Sequence, residues 1–204
     1  GGWGAYGINI NSATGIDNTQ ITNNLIYDII TANYSISSTT YNAFGIRLTG
    51  STSTKIYHNT INLYGSVTNG SSAGMSACLL ATVTSVTGLD VRNNIFANST
   101  AFSTSGAKSY TIFVPASFVF GTIDYNDYYS SGTYASFGYF GTETSTFTAW
   151  KTLSGQDVNS LNVEPLLNTN SDLRPQLGAP VLAVGTPIAT VTTDYANVTR
   201  SGTA

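Results

Sequence analysis

The sequence predicts an all-β fold: a right-handed parallel β-helix, a solenoid with three strands per coil, carrying one short helix near its C-terminal end. Three observations predict it. One seven-residue motif recurs four times at a nearly fixed interval. A second, alternating motif precedes every copy. The composition favours strands: 13 Tyr and 9 Phe stand among 204 residues of which 8% are charged, against roughly 25% in ordinary globular domains, a balance that also argues against disorder.

The recurring motif reads Gln20-Ile21-Thr22-Asn23-Asn24-Leu25-Ile26, Lys55-Ile56-Tyr57-His58-Asn59-Thr60-Ile61, Asp90-Val91-Arg92-Asn93-Asn94-Ile95-Phe96 and Thr122-Ile123-Asp124-Tyr125-Asn126-Asp127-Tyr128. Its asparagines, Asn24, Asn59, Asn94 and Asn126, fall 35, 35 and 32 residues apart. A period of this size marks a repeat architecture, in which each unit buries its apolar face only against its neighbours. Asn tolerates the left-handed backbone of a sharp bend better than other non-glycine residues. The four are therefore expected at one corner, their amides hydrogen-bonded along the column.

The preceding motif reads Tyr6-Gly7-Ile8-Asn9-Ile10, Phe44-Gly45-Ile46-Arg47-Leu48, Ser76-Ala77-Cys78-Leu79-Leu80 and Tyr110-Thr111-Ile112-Phe113-Val114. It alternates with period two, as a strand does. Aligned, Ile8, Ile46, Cys78 and Ile112 share one column, and Ile10, Leu48, Leu80 and Val114 another. Cys78, the only cysteine, thus fills a buried aliphatic slot and allows no internal disulfide. Inward residues are Ile21, Ile56, Val91 and Ile123 in the second strand of each repeat, and Ile26, Ile61, Phe96 and Tyr128 in the third. Coils stacked at roughly 4.8 Å place each column on its own kind, and each buried aliphatic contributes on the order of 1.5–3 kcal/mol. Loops rich in Ser, Thr and Gly close the repeats at residues 32–42, 66–73 and 100–108.

Regular coils are expected over residues 1–135, and a closing segment of the same solenoid over 136–204. In the latter, a helix at about 146–153 follows from a capping residue, a Phe147/Trp150 face and Gly155 as a stop. The stretches 162–167 and 180–184 read as further strands that close the solenoid end.

A net charge of −3 with scattered basic residues offers no footprint for nucleic acid or an anionic membrane surface. No apolar run approaches the roughly 20 residues of a membrane span, so no membrane insertion is expected. Gly1-Gly2-Trp3-Gly4 is neither a start nor a basic leader. The pattern starts and stops in mid-repeat, as expected of a piece of a longer chain.

Catalysis on such a fold needs carboxylates held together: several around a cation plus a free base for a polysaccharide lyase, two for a glycosidase. The outward column of the first strand, Asn9, Arg47, Leu79 and Phe113, has none. The outward columns of the second, Gln20, Lys55, Asp90, Thr122 and Thr22, Tyr57, Arg92, Asp124, set Lys55 beside Asp90 and Arg92 between Tyr57 and Asp124. Lys55, His58, Asp90, Arg92 and Asp124 are thus the candidate catalytic residues. Two acids interleaved with two bases also read as plain charge balance on a solvated sheet, roughly 0.2–1 kcal/mol per pair. Asp124, Asn126 and Asp127 have the closeness of a metal loop, but Asn126 belongs to the ladder and the two acids point differently, so no metal or other cofactor is expected. His58 shares its column with Asn23, Asn93 and Tyr125 and reads as a polar turn residue.

The four Ile-x-x-Asn-x-apolar copies resemble the repeats of the pectate-lyase-like parallel β-helix superfamily. The tail is more specific. Trp150, the run Gly155-Gln156-Asp157-Val158-Asn159-Ser160, Glu164-Pro165-Leu166, Asp172-Leu173-Arg174, Gly178-Ala179-Pro180, Gly185-Thr186-Pro187, Thr193-Asp194 and Arg200 resemble the closing module of bacterial secreted β-helix proteins exported with a C-terminal sorting domain. Glu164 stands where those modules usually carry Asp before the Pro, and no final strand follows Arg200. The resemblance implies a bacterial, extracellular or cell-surface protein of which this chain is a module. Low charge, exposed Ser, Thr and Asn, and tyrosine-rich stretches such as Tyr125-Asn126-Asp127-Tyr128-Tyr129 suit a non-catalytic structural or adhesive role, with carbohydrate or other copies of the chain as partners. The alternative is a polysaccharide lyase or glycoside hydrolase acting around Asp90, Arg92 and Asp124.

Overall fold

A computed structural model describes residues 4–11, 16–31, 39–68, 74–82, 86–114 and 120–202. The chain is built mostly of strands, with one helix among the described residues. Successive repeats contribute successive strands to the same sheets. Ala5–Ile10, Ala43–Leu48, Met75–Ala81, Lys108–Val114 and Gly138–Phe140 pair in that order, all parallel, and Glu143–Thr144 adds an antiparallel edge. Gln20–Thr22, Lys55–Tyr57, Leu89–Arg92 and Phe120–Asp124 form a second parallel sheet. Leu25–Tyr27, Thr60–Leu63, Ile95–Asn98 and Asp127–Ser130 form a third. Two short ladders were not legible: Ile16–Asp17, Ser51–Thr52 and Val86–Thr87, and Ser66–Val67 with Ala101–Phe102. Two residues are too few to show alternation. The latter ladder lies in stretches read as loops; residues 32–38 and 69–73 of those loops lie outside the described residues.

Between the second and third strands the chain turns through one left-handed residue: Asn23 (φ 60°), His58 (55°), Asn93 (59°) and Tyr125 (56°). The bend is thus taken by the residue before each ladder asparagine, not by the asparagine itself. The ladder residues turn inward and bond one another. Asn59 Oδ1 accepts the Asn24 N–H at 3.0 Å and its Nδ2 at 2.8 Å. Asn94 Oδ1 accepts the same pair from Asn59 at 3.0 and 2.9 Å, and Asn126 Oδ1 from Asn94 at 3.0 and 2.9 Å. The amide nitrogens also donate to strand carbonyls, Asn59 to Ile21 and Tyr57, Asn94 to Ile56 and Arg92. A buried amide left unpaired costs about 1–3 kcal/mol, and here each interior rung is saturated.

The inward columns of the second and third strands are as expected: Ile21, Ile56, Val91 and Ile123 stack in register, as do Ile26, Ile61, Phe96 and Tyr128, and all are buried. The first-strand alignment needs correction in the third repeat. Leu79, not Cys78, sits opposite Ile46 and Ile112; Leu80 faces Arg47 and Phe113, and Ala81 faces Leu48. Leu79 and Leu80 are adjacent, so an aliphatic residue can be set on the inward face in either register, and the sequence did not separate them. Cys78 falls in the slot of Gly45, where a Cβ would stand 2.4 Å from Ile61 Cγ2 and 2.6 Å from the Cys78 carbonyl. Its thiol is fully buried and donates to the Ala97 carbonyl. Burial pushes its pKa well up, which keeps it protonated and inert.

The helix spans Phe147–Ser154, one residue later than expected. Thr146 caps it by accepting the Ala149 N–H, and Gly155 ends it at φ 67°, a left-handed stop that suits glycine. It drives Trp150, fully buried, against Phe120, Tyr128, Phe137 and Phe140 at one end of the core. The predicted strands at 162–167 and 180–184 do not form; only isolated bridges occur in the tail. Pro165 and Pro180 offer no N–H to a ladder, and Leu182 and Val184 stay 43% and 41% exposed. Instead of closing the end, the tail runs back along the repeats. Asn62 donates to the Asn170 carbonyl, Asn93 bonds Thr186, and Asn23 donates to the Thr193 carbonyl.

Candidate functional site

The second sheet places the predicted charges in the predicted columns, Asp90 between Lys55 and Thr122, Arg92 between Tyr57 and Asp124. The partners differ from expectation. Asp90 is gripped by Arg92 of its own strand through two bonds, Nε to Oδ1 at 2.7 Å and Nη2 to Oδ2 at 2.6 Å. Lys55 is in no ion pair among the described residues. The reason is reach: residues two apart on a strand share a face, and the planar guanidinium fork matches a carboxylate bidentately where a lysine offers a point charge. Tyr57 donates its hydroxyl to Asp90 Oδ2 at 2.6 Å, and the Arg92 guanidinium lies 5.3 Å from the Tyr57 ring centre. Asp90 holds the Arg92 pKa above its ordinary value. Burial first, then the bond to Asp90, raises that of Tyr57.

Asp124 is not part of this cluster's bonding. It accepts the Asn159 N–H at 2.7 Å and the Asn159 amide at 2.8 Å, and so ties the end of the sheet to the segment after the helix. Asp127, its neighbour in the expected metal-loop reading, faces elsewhere and accepts the Val163 N–H at 3.1 Å. Among the described residues no three His, Cys, Asp or Glu side chains converge as a metal site requires.

His58 stands in the turn column beneath the returning tail. Asn93 Nδ2 meets its Nε2 at 3.1 Å. The same Asn93 clamps the tail like a strand partner, donating to the Thr186 carbonyl at 2.7 Å and accepting the Thr186 N–H at 2.8 Å. Asn23 repeats the clamp lower down, donating to the Thr193 carbonyl at 2.8 Å and accepting Arg200 Nη2 at 2.8 Å. Ile188 and Val191 of the tail cover the Tyr57 ring. Burial, and then the Arg200 charge, pull the His58 pKa down to about 4, so the imidazole is neutral at pH 7. A groove along this seam is lined by His58, Asn93, Asp127, Arg174, Ile188 and Arg200 among others.

The burial of two carboxyls escaped sequence reasoning. Asp127 is 4% exposed, and burial raises its pKa to about 7. Asp157 is 1% exposed and accepts from Trp150 Nε1 at 2.6 Å, Tyr128 Oη at 3.0 Å and Ser160 Oγ at 2.5 Å. Burial raises its pKa, against the pull of those donors. A signal existed for the second: Ser160 lies 34 residues after Asn126 and takes its N–H, so residues 157–160 are a fifth, degenerate copy of the motif with Asp in the aliphatic position. The tail clamps had no periodic signal.

No family model, no curated protein and no solved structure matches this chain.

Proposed function

We propose that this chain is a right-handed parallel β-helix of the pectate-lyase-like kind, and a non-catalytic structural or adhesive module of a larger secreted or cell-surface bacterial protein. Its partners in this reading are carbohydrate or other copies of the chain. The observation that carries the non-catalytic part is the engagement of the Asp90 carboxylate. Both of its oxygens are engaged by Arg92, and Oδ2 also by Tyr57, so the acid is tied into a fork with Arg92, which supports a structural role for both. Asp124 is committed to Asn159. His58, neutral and packed under the tail, serves the turn.

The fold reading is supported by parallel strands about one repeat apart in three successive sheets and by an asparagine column that runs through all four repeats. The secreted reading rests on the resemblance of the tail. Retention of the purified chain on immobilised acidic and neutral polysaccharides, with sedimentation velocity over a concentration series, tests the adhesive part. Saturable retention or reversible association is expected. A chain that is monomeric throughout and retained on nothing would sink the adhesive reading.

A further inference from the structure

We propose that the groove between the third sheet and the returning tail binds a short extended peptide, its free amino end on Asp127 and its carboxylate end on Arg200. This goes beyond the structural reading above and does not depend on it.

The groove encloses about 1060 Å³, just beyond the roughly 300–1,000 Å³ of small-molecule pockets. Its floor is one outward column of the third sheet, Leu25, Thr60, Ile95 and Asp127, in register from the first repeat to the fourth. These residues alternate with the inward Ile26, Ile61, Phe96 and Tyr128. Leu25 and Ile95 are only partly buried, so the tail spans this floor without sealing it. The tail is fastened elsewhere. It is bonded to the turn column at Asn93 and Asn23, and Ile188 and Val191 rest on Tyr57 of the second sheet.

The charges at its two ends specify what fits. Asp127 stands where the first and third repeats carry Leu25 and Ile95. It is 4% exposed; Oδ1 accepts the Val163 N–H, whereas Oδ2 has no partner among the described residues. A buried carboxyl with an unpaired oxygen burdens the fold where an aliphatic residue would not, and a cationic donor at that oxygen removes the burden. Burial raises its pKa to about 7, and an arriving ammonium, which favours the charged form, ionises it at neutral pH. At the other end, Arg200 bonds Asn23 Oδ1 and the Thr193 carbonyl, and no carboxylate pairs with it among the described residues. Asp194, whose charge it feels, is turned to the Ala196 and Val198 N–H groups. Arg174, which also lines the groove, is already forked to Asp172. Asn23 belongs to the first repeat and Asp127 to the fourth. Three strand spacings of roughly 4.8 Å separate the two charges by roughly 14 Å along the axis. An extended peptide covers that in about four or five residues at roughly 3.3 Å each. Thr60 and His58 put polar groups midway along the groove, which a peptide's amides meet and a plain alkyl chain would leave unpaired.

The test titrates the full chain at pH 7 with a pentapeptide of alternating leucine and alanine, by calorimetry, against its N-acetylated and C-amidated forms, with hydrogen exchange of the protein followed in parallel. The expected result is saturable binding with slowed exchange in residues 181–202. Acetylation and amidation each lower the affinity about tenfold or more, as loss of a charge-assisted hydrogen bond implies. Asp127→Asn keeps an acceptor for the Val163 N–H. It lowers affinity for the free peptide by a similar factor and abolishes the effect of acetylation while leaving that of amidation. Arg200→Gln does the converse; because Arg200 also fastens the tail, the Asp127→Asn result decides if that variant loosens it. Absence of saturation up to about 1 mM, equal binding of the acetylated peptide, an acetylation effect that persists in Asp127→Asn, or exchange slowed only outside 181–202 overturns the proposal. So does tighter binding of a peptide capped at both ends, because the groove then takes the interior of a longer chain. None of these outcomes touches the non-catalytic reading, which turnover of a polysaccharide would sink.

Discussion

Asn126 donates its backbone N–H to Ser160 Oγ at 2.9 Å, and that hydroxyl passes its own hydrogen to Asp157 at 2.5 Å. The ladder thus ends on a serine that is itself held, and the column runs from Asn24 to a cap at Asp157.

Position along this column sets the cost of losing a rung. Asn59→Ala removes the Nδ2 donor to Asn94, Ile21 and Tyr57 and leaves the Asn24 donors without an acceptor. It should cost about 1–3 kcal/mol. Asn24→Ala should cost less, because among the described residues its side chain only donates, to Asn59 and Thr22. Urea denaturation of the two variants measures the difference; equal and negligible losses would contradict a hydrogen-bonded ladder.

At the capped end, Asp157→Ala would strand the Trp150, Tyr128 and Ser160 donors in the core. Three buried donors at about 1 kcal/mol or more each predict a loss of about 3 kcal/mol or more. Trp150→Ala should lose a similar amount, about 3–5 kcal/mol, by cavity formation. Denaturant midpoints at fixed slope report both, and a surface-like loss at Asp157 would show that the cap is not the closing element.

The pH dependence has two opposed parts. The folded His58 pKa of about 4 lies below its ordinary 6.5, so the folded state binds fewer protons and stability is lost as pH falls from about 6.5 toward 4. The folded Asp127 pKa of about 7 lies above its ordinary 3.8, so its contribution is complete below about 4 and is lost as pH rises through 7. His58→Asn, which keeps a residue type already tolerated at φ near 60° in Asn23 and Asn93, should reduce the loss of stability in acid. Asp127→Asn should steepen it. Thermal midpoints from pH 4 to 7 check both, and unchanged profiles would contradict the burial of these groups.

Much of this architecture was legible because repetition amplifies weak signals. Ile21, Ile56, Val91 and Ile123 are individually ordinary, but four copies at one offset fix strand, face and register together. The bend was misplaced by one residue because Asn23 and Asn24, and Asn93 and Asn94, are adjacent asparagines; His58 and Tyr125 at the left-handed position were the clue that it precedes the ladder. Cys78 was misaligned because Ser76-Ala77-Cys78-Leu79-Leu80-Ala81 satisfies two registers. Lys55 was paired with Asp90 from column geometry alone, whereas the guanidinium of Arg92, two residues along, makes the better fork. The tail was beyond periodic reasoning: its contacts at Thr186, Thr193 and Arg200 are one or two hydrogen bonds each to the turn column, and nothing in local propensity marks them.

In the proposed reading Asp90 and Asp124 serve the fold and not a reaction. The most direct measurement incubates the purified chain, with calcium, on acidic and neutral polysaccharides and follows both unsaturated products and new reducing ends, alongside Asp90→Asn and Asp124→Asn. The account predicts no product above the level of the two variants, and a loss of stability in Asp90→Asn from the broken Arg92 fork, about 1–3 kcal/mol for a charge-assisted pair. Turnover by the parent chain that either variant abolishes while remaining folded would contradict it.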